Sequence, residues 1–168
     1  PALNSEQKKA ILDIKKSSTF NTFLLDGVTG SGKTEIYLSL ISDVIERGQD
    51  ALILVPEIGL INQLNRRIEV RLGIKPSQYH SGLTENERFI TWKKIQESKT
   101  RIILGTRSAI LAPFKNLGLI VVDEEHDISY KQQEGFRYSA RDLAVMRAKN
   151  FNIPIILGSA TPSLESFK

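Results

Sequence analysis

The sequence predicts an α/β fold: a central, mainly parallel sheet with helices packed on both faces. Three observations predict it. Five short runs are β-branched or Leu-rich and apolar on both faces, as central parallel strands tend to be. Segments with an apolar residue every three or four positions separate those runs. The alternation continues along the whole chain with no linker, repeat or low-complexity stretch, the pattern of one parallel-sheet unit. A typical domain holds roughly 150 residues, so a chain of 168 residues is expected to be a single domain, 1–168.

From the amino end, Asn4 followed by Gln7 forms a capping-box pattern for a first helix. The first strand is expected at 22–26 (TFLLD), followed by a helix carrying Ile36, Leu40 and Val44, with Tyr37, Ile41 and Ile45 beside them. The second strand is 51–55 (ALILV), and Leu64, Ile68 and Leu72 mark the next helix. Thr84 and Glu87 make a second capping box ahead of Phe89, Trp92 and Ile95. Strands at 101–104 (RIIL) and 117–123 (LGLIVVD) follow. Ser139 and Asp142 would cap a helix running to about residue 149, before a last strand at 153–157 (IPIIL).

Composition narrows the function classes. Apolar residues at 40% and charged residues at 25% fit an ordered globular chain. No apolar run nears the roughly 18 residues of a membrane span, and residues 1–16 do not read as a signal peptide. The absence of cysteine excludes disulfides, thiol nucleophiles and cysteine zinc sites within the chain, and fits a reducing cytoplasm. Only His80 and His126 are histidines, so a histidine-rich metal site is excluded too. Net charge is +4, but residues 61–110 hold ten Lys/Arg against four Asp/Glu, a local +6 that leaves −2 elsewhere. Such a segment suits a polyanion such as nucleic acid, or is simply a solvated basic helix face.

Directly after the first expected strand stands Gly27-Val28-Thr29-Gly30-Ser31-Gly32-Lys33-Thr34, a full GxxxxGK[ST] phosphate loop opening a helix. Glycines let backbone N–H groups converge on phosphate oxygens. The helix N-terminus adds a favourable dipole. Gly27, Gly30, Ser31, Gly32, Lys33 and Thr34 are therefore the candidate nucleotide-binding residues, Lys33 reaching the β and γ phosphates and Thr34 ligating Mg²⁺.

The strand at 117–123 ends in Asp123-Glu124-Glu125-His126. Two acids facing the phosphate loop divide the labour. Asp123 would hold Mg²⁺ through its water shell, and Glu124 would orient and deprotonate the attacking water. Lys33, Asp123 and Glu124 form the expected catalytic set, with Thr34, Asp123 and Glu124 around the metal. The water-activating glutamate favours a hydrolase over a kinase. His126 either links this site to a neighbouring element or fills a loop, and His80 reads as structural.

The ordered segments DGVTGSGKTE, LVPEIGL, GTRSAI, VVDEEHDISYKQQEGFRY and GSATP, with RYSARD, resemble the superfamily 2 helicases and, within them, the primosomal replication-restart helicases. The segments span residues 3–162 and match that family's first RecA-like lobe. The resemblance implies a P-loop NTPase lobe with a three-layer α/β/α RecA-like fold. It implies an ATP-dependent 3′-to-5′ DNA helicase that uses ATP and Mg²⁺ in primosome assembly and restart of stalled replication forks. Zinc belongs to a part of the family's full-length protein outside this chain. Single-stranded and forked DNA, other primosome proteins and single-stranded DNA-binding protein are the implied partners, without a membrane. The implied place is the bacterial cytoplasm, at the nucleoid.

By the same resemblance Gln7 reads the adenine edge, a role compatible with its cap. Pro56, Glu57 and Ile58, and Thr106, Arg107 and Ser108, contact the DNA backbone. Ser159, Ala160 and Thr161 couple hydrolysis to unwinding. Tyr130, Phe136 and Tyr138, interleaved with Lys131 and Arg137, form an aromatic loop on which bases could stack. Family members often carry His at Ser139 and sometimes Trp at Phe136, and ring stacking survives the second change. The family's second lobe supplies an arginine finger, so this lobe alone is expected to bind ATP weakly and hydrolyse it very slowly. The rival readings are another superfamily 2 DNA or RNA translocase lobe, a nucleotide-gated binding module, or a small-molecule P-loop kinase, whose Arg-bearing lid the sequence does not display.

Overall fold

The computed structural model describes residues 3–17, 19–26, 31–132, 135 and 137–159, with only the backbone of Ser31. Of the expected site, Gly27, Gly30, Phe136, Thr161 and the Ser31 side chain lie outside the described residues.

The helices are α1 (Ser5–Lys15), α2 (Ser31–Glu46), α3 (Ile58–Leu72), α4 (Glu85–Gln96) and α5 (Ala140–Phe151). The strands are β1 (Asn21–Asp26), β2 (Asp50–Leu54), β3 (Ser77–Tyr79), β4 (Ile102–Gly105), β5 (Leu117–Val122), β6 (Lys131–Gln132), β7 (Tyr138–Ser139) and β8 (Pro154–Ser159). Six of them form one parallel sheet in the order β1-β8-β5-β2-β4-β3, while β6 and β7 pair as a small antiparallel hairpin. The five apolar runs are all strands of the large sheet, but β1 is not buried on both faces as expected: it pairs only with β8 at the sheet's edge, and of its residues Leu25 alone is buried. β3 goes beyond expectation: it is three residues long, half-buried and at the sheet's edge, so it carries no apolar run.

Alternation along the strands divides the core in two. Ala51 and Ile53 of β2 join Ile102, Leu104, Leu119 and Val121 against α1, α2 and α3. Leu52 and Leu54 join Ile103, Ile120, Val122 and Leu157 against α5 and the end of α4. Successive side chains of a strand point to opposite faces, so these strands must be apolar at every position. Ala140, Ala144 and Ala148, all inaccessible, recur at four-residue spacing and let α5 lie close on the sheet. This is the α/β sandwich the sequence predicts.

The caps also form. Asn4 and Gln7 exchange bonds of 2.8 Å, Thr84 and Glu87 bonds of 3.0 and 3.1 Å, and Ser139 accepts from the Asp142 amide at 3.3 Å. The basic excess of residues 61–110 is partly neutralised by acids outside that segment: Arg67 and Arg71 pair with Glu35, and Arg101 with Asp50.

Register fixes where a ligand can sit. Asp26 lies across from Ser159, Leu157 from Val122, Val122 from Leu54, and Leu54 from Gly105. The carboxyl ends of β1, β5, β2 and β4 therefore lie along one edge of the sheet, where ligands of parallel sheets bind. Among the described residues no helix is long and apolar enough to cross a membrane.

Candidate active site

Lys33 stands in the first turn of α2, pointing at the end of β5. Its Nζ lies 2.6 Å from Glu124 Oε1 and 3.6 Å from Asp123 Oδ1. The lysine is almost wholly buried, whereas both acids keep some water contact. A buried ammonium is stable only when paired, and two carboxylates so close together repel unless a cation sits between them. The phosphate-loop lysine and both acids of the β5 end are thus brought together as expected.

Asp123 is held from two further sides. Its amide donates to Leu54 O at 2.9 Å, tying it to β2. The Tyr37 hydroxyl, one helical turn past Lys33, donates to Asp123 Oδ1 at 2.8 Å. Burial pushes the Asp123 carboxyl above its usual range, with the Tyr37 bond and the Lys33 charge opposing that rise. Burial first and the Asp123 charge second push the Tyr37 phenol far up, so it stays protonated and donates. Thr34, Tyr37 and Asp123 line a cavity of about 80 Å³ with Gln63 and Arg67 of α3.

Among the described residues no three His, Cys, Asp or Glu side chains converge as a metal cage. A hydroxyl and two carboxylates nevertheless fit Mg²⁺, which uses one or two carboxylates and completes its sphere with water and phosphate oxygens.

A tight turn carries the acids. Glu124 adopts φ 49°, left-handed and uncommon for a residue with a Cβ. The Asp127 amide closes the turn onto Glu124 O at 2.9 Å, and the Glu125 amide reaches Gly158 O of β8 at 2.9 Å. The Glu125 side chain is fully buried and receives Arg141 of α5 at 3.0 Å. His126 Nδ1 lies 2.9 Å from Ser159 Oγ, so of the two readings of His126 the geometry is that of a link between β5 and β8.

Tyr130 departs from the stacking expectation. It is 1% exposed, and its hydroxyl donates to the Asp123 carbonyl. A base cannot reach such a ring; its connection is to the acid. Lys131, Arg137 and Tyr138 line an open hollow of about 420 Å³ with Gln132 and Ser139, on the β6–β7 hairpin.

The remaining expected residues lie along the same edge. Gln7 donates its Nε2 to Gly32 O at 3.4 Å, so the α1 cap also touches the phosphate loop. Pro56, following β2, is partly exposed, and so are Thr106, Arg107 and Ser108 at the end of β4. Arg107 donates to the carbonyls of Ser129 and Lys131, both at 3.2 Å, bridging this segment to the aromatic loop. His80 is buried, and its Nδ1 accepts the Gly82 amide at 3.0 Å, as a structural histidine does.

Four residues in or beside the site were not singled out in the sequence. Tyr37 shares a helix face with Lys33 four residues earlier, a signal hidden by its apolar neighbours. Glu125 and Arg141 are a buried pair drawn from two strings of the family resemblance. Glu35, next to Thr34, is 5% exposed and bonds Arg67 at 2.9 Å and Arg71 at 2.6 Å. Burial works to raise the Glu35 carboxyl, but Arg71 and then Arg67 outweigh it and hold it below the usual range.

Residues 4–168 match the DEAD/DEAH box helicase family. The chain belongs to that family. Replication restart protein PriA of Haemophilus influenzae is 50% identical over 164 residues, 98% of this chain and 22% of that protein. PriA of Bacillus subtilis is 48% identical over 168 residues, 98% of this chain and 21% of that protein. PriA of Synechocystis is 49% identical over 168 residues, 99% of this chain and 20% of that protein. The chain thus spans about a fifth of these relatives' length, and the resemblance to replication-restart helicases is borne out. The structure of RecG bound to a three-way DNA junction superposes with a TM-score of 0.75 at 26% identity, over 99% of this chain and 22% of that one. The Hef helicase domain of Pyrococcus furiosus shares the fold alone, with a TM-score of 0.57 at 13% identity over 81% of this chain and 28% of that one. The fold is therefore the RecA-like α/β fold.

Proposed function

We propose that this chain is a single ATP-binding domain, the N-terminal RecA-like motor lobe of a longer ATP-dependent DNA helicase. That helicase moves 3′ to 5′ on single-stranded and forked DNA and acts in primosome assembly and restart of stalled forks. Its partners are other primosome proteins and single-stranded DNA-binding protein, in the bacterial cytoplasm at the nucleoid. The observation that carries the reading is Lys33 lying 2.6 Å from Glu124 and 3.6 Å from Asp123 in a chain of the helicase family.

In this reading the phosphate loop, including Gly27, Gly30, Ser31 and Gly32, cradles the ATP phosphates with backbone amides. Lys33 exchanges its carboxylate partners for the β and γ phosphates. Thr34, Asp123 and Glu124 would hold Mg²⁺, which when bound neutralises charge on the phosphoryl oxygens. Released from the lysine, Glu124 orients the attacking water and takes its proton. Gln7 reads the base edge. Pro56, Thr106, Arg107 and Ser108 meet DNA phosphates. Lys131, Phe136, Arg137 and Tyr138 engage the strand, Tyr130 ties that loop to Asp123, and His126, Ser159 and Thr161 carry the change to β8.

Contacts to phosphates and stacked bases make binding insensitive to sequence and sensitive to salt. An arginine finger from a second lobe is worth roughly 10³–10⁵ in rate, so the isolated lobe should turn over very little ATP. The test is steady-state ATP hydrolysis by the full-length protein with and without single-stranded DNA. Strong stimulation, abolished by Lys33→Ala and weakened by replacing Phe136 and Tyr138, supports the reading. Hydrolysis indifferent to DNA removes the helicase assignment and leaves a P-loop hydrolase of another kind.

A further inference from the structure

Glu35 is a buried carboxylate outside the chemistry just described. It follows Thr34 directly, at the start of the helix that carries the phosphate loop. Its two partners, Arg67 and Arg71, lie one turn apart on α3 and hold opposite carboxylate oxygens at 2.9 and 2.6 Å. Both arginine side chains keep substantial water contact, 36% and 45%, while the Glu35 side chain keeps 6%. A buried carboxylate adds little stability that an apolar residue of similar volume would not match. What the pair does provide is a directed connection between two helices.

Those helices start at different places. α2 starts in the phosphate loop. α3 starts directly after residues 56–57, at the segment proposed to meet the DNA backbone. Along its length α3 also supplies Gln63, Leu64 and Arg67 to the wall of the cavity shared with Thr34, Tyr37 and Asp123. α3 thus joins the segment proposed to meet DNA to Glu35, whose neighbour in the chain is Thr34.

Resting on the helicase reading above, we propose that Glu35 is a positioning residue that transmits DNA binding at the start of α3 to the nucleotide site, through Arg67 and Arg71. Its two carboxylate oxygens are held by Arg67 and Arg71. It sets how Thr34 and Asp123 respond when a strand is seated.

The test uses the full-length protein with Glu35→Gln, with Arg67→Gln/Arg71→Gln, and with the triple substitution. Basal and DNA-stimulated kcat are measured beside the dissociation constants for a fluorescent ATP analogue and for labelled single-stranded DNA. The expected result is a loss of DNA stimulation by at least about fivefold, the low end of coupling between two sites, with both dissociation constants within about twofold of wild type. The triple variant should lose no more than either parent, because one connection is cut in each case. The arginine variant alters half-exposed side chains and keeps the test open should Glu35→Gln fold poorly. Wild-type stimulation in either folded variant, or losses that add in the triple, would overturn the proposal. A wild-type protein whose hydrolysis ignores DNA would instead overturn the helicase reading beneath it, and the two failures are told apart by that control.

Discussion

The Tyr37 hydroxyl reaches Asp123 Oδ1 at 2.8 Å only because residue 158 has no side chain: a Cβ there would lie 1.8 Å from the phenolic oxygen. Gly158 thus seats the phenol that holds the acid. Gly158→Ala should destabilise the fold by about 1–3 kcal/mol, the range of an overpacked core. Tyr37→Phe removes the clashing oxygen at the cost of about 1 kcal/mol for one hydrogen bond. Chemical denaturation should therefore rank the double variant as more stable than Gly158→Ala alone. A double variant whose loss equals the sum of the two single losses would show that the close approach is not what glycine serves.

Lys33 is expected to matter to the fold as well as to nucleotide. Without it, Asp123 and Glu124 face each other with no cation between them. Lys33→Ala should abolish ATP hydrolysis and lower stability by about 1–3 kcal/mol, less than a fully buried pair because both acids keep water contact. Adding Glu124→Gln should recover part of that stability and none of the activity. Melting curves of the two variants, with hydrolysis rates beside them, check this. A Lys33→Ala protein as stable as the double variant would mean the acids do not need the lysine.

What the sequence discloses follows from how locally each feature is encoded. The interior strands are legible because burial on both faces makes every residue of 51–54 and 119–122 apolar, a signal contained in the run itself. Lys33, Asp123 and Glu124 are legible for the same reason: each sits in a contiguous string whose spacing the chemistry requires. Tyr37 is not, because its face of α2 is otherwise Ile36, Leu40 and Ile41, and only the sheet brings it to an acid 86 residues away. β3 is missed because an edge strand of Ser-Gln-Tyr has one neighbour and no need of apolar alternation. Tyr130 looks like its aromatic neighbours in sequence, and its burial and its bond to the Asp123 carbonyl set it apart from the half-buried Tyr138.

Glu125 illustrates the same limit and yields a further expectation. Its side chain has no water contact and lies 3.0 Å from the Arg141 guanidinium, 16 residues on. Breaking a buried pair from one side costs more than replacing both members. Arg141→Met should therefore cost about 3 kcal/mol, and Glu125→Gln/Arg141→Met distinctly less, by chemical denaturation. The reverse order would assign Glu125 its stability from elsewhere in the turn.

His80 makes stability depend on pH. Its Nδ1 accepts the Gly82 N–H at 3.0 Å, which requires the lone pair that protonation would remove. Burial lowers the affinity of the ring for a proton, and the charge of Glu87 only partly restores it. The folded protein therefore holds His80 neutral at pH values where the unfolded chain, titrating near the usual value of about 6.5, takes up a proton. Since the unfolded state binds more protons in that window, stability is fully present above about pH 6.5 and is lost as pH falls through that value toward the folded one. His80→Gln keeps an acceptor for the Gly82 amide but does not titrate. Unfolding free energies measured from about pH 7.5 down to pH 5.5 should fall more steeply for the wild type than for this variant. Parallel curves would show that His80 is not the group whose proton uptake drives the loss.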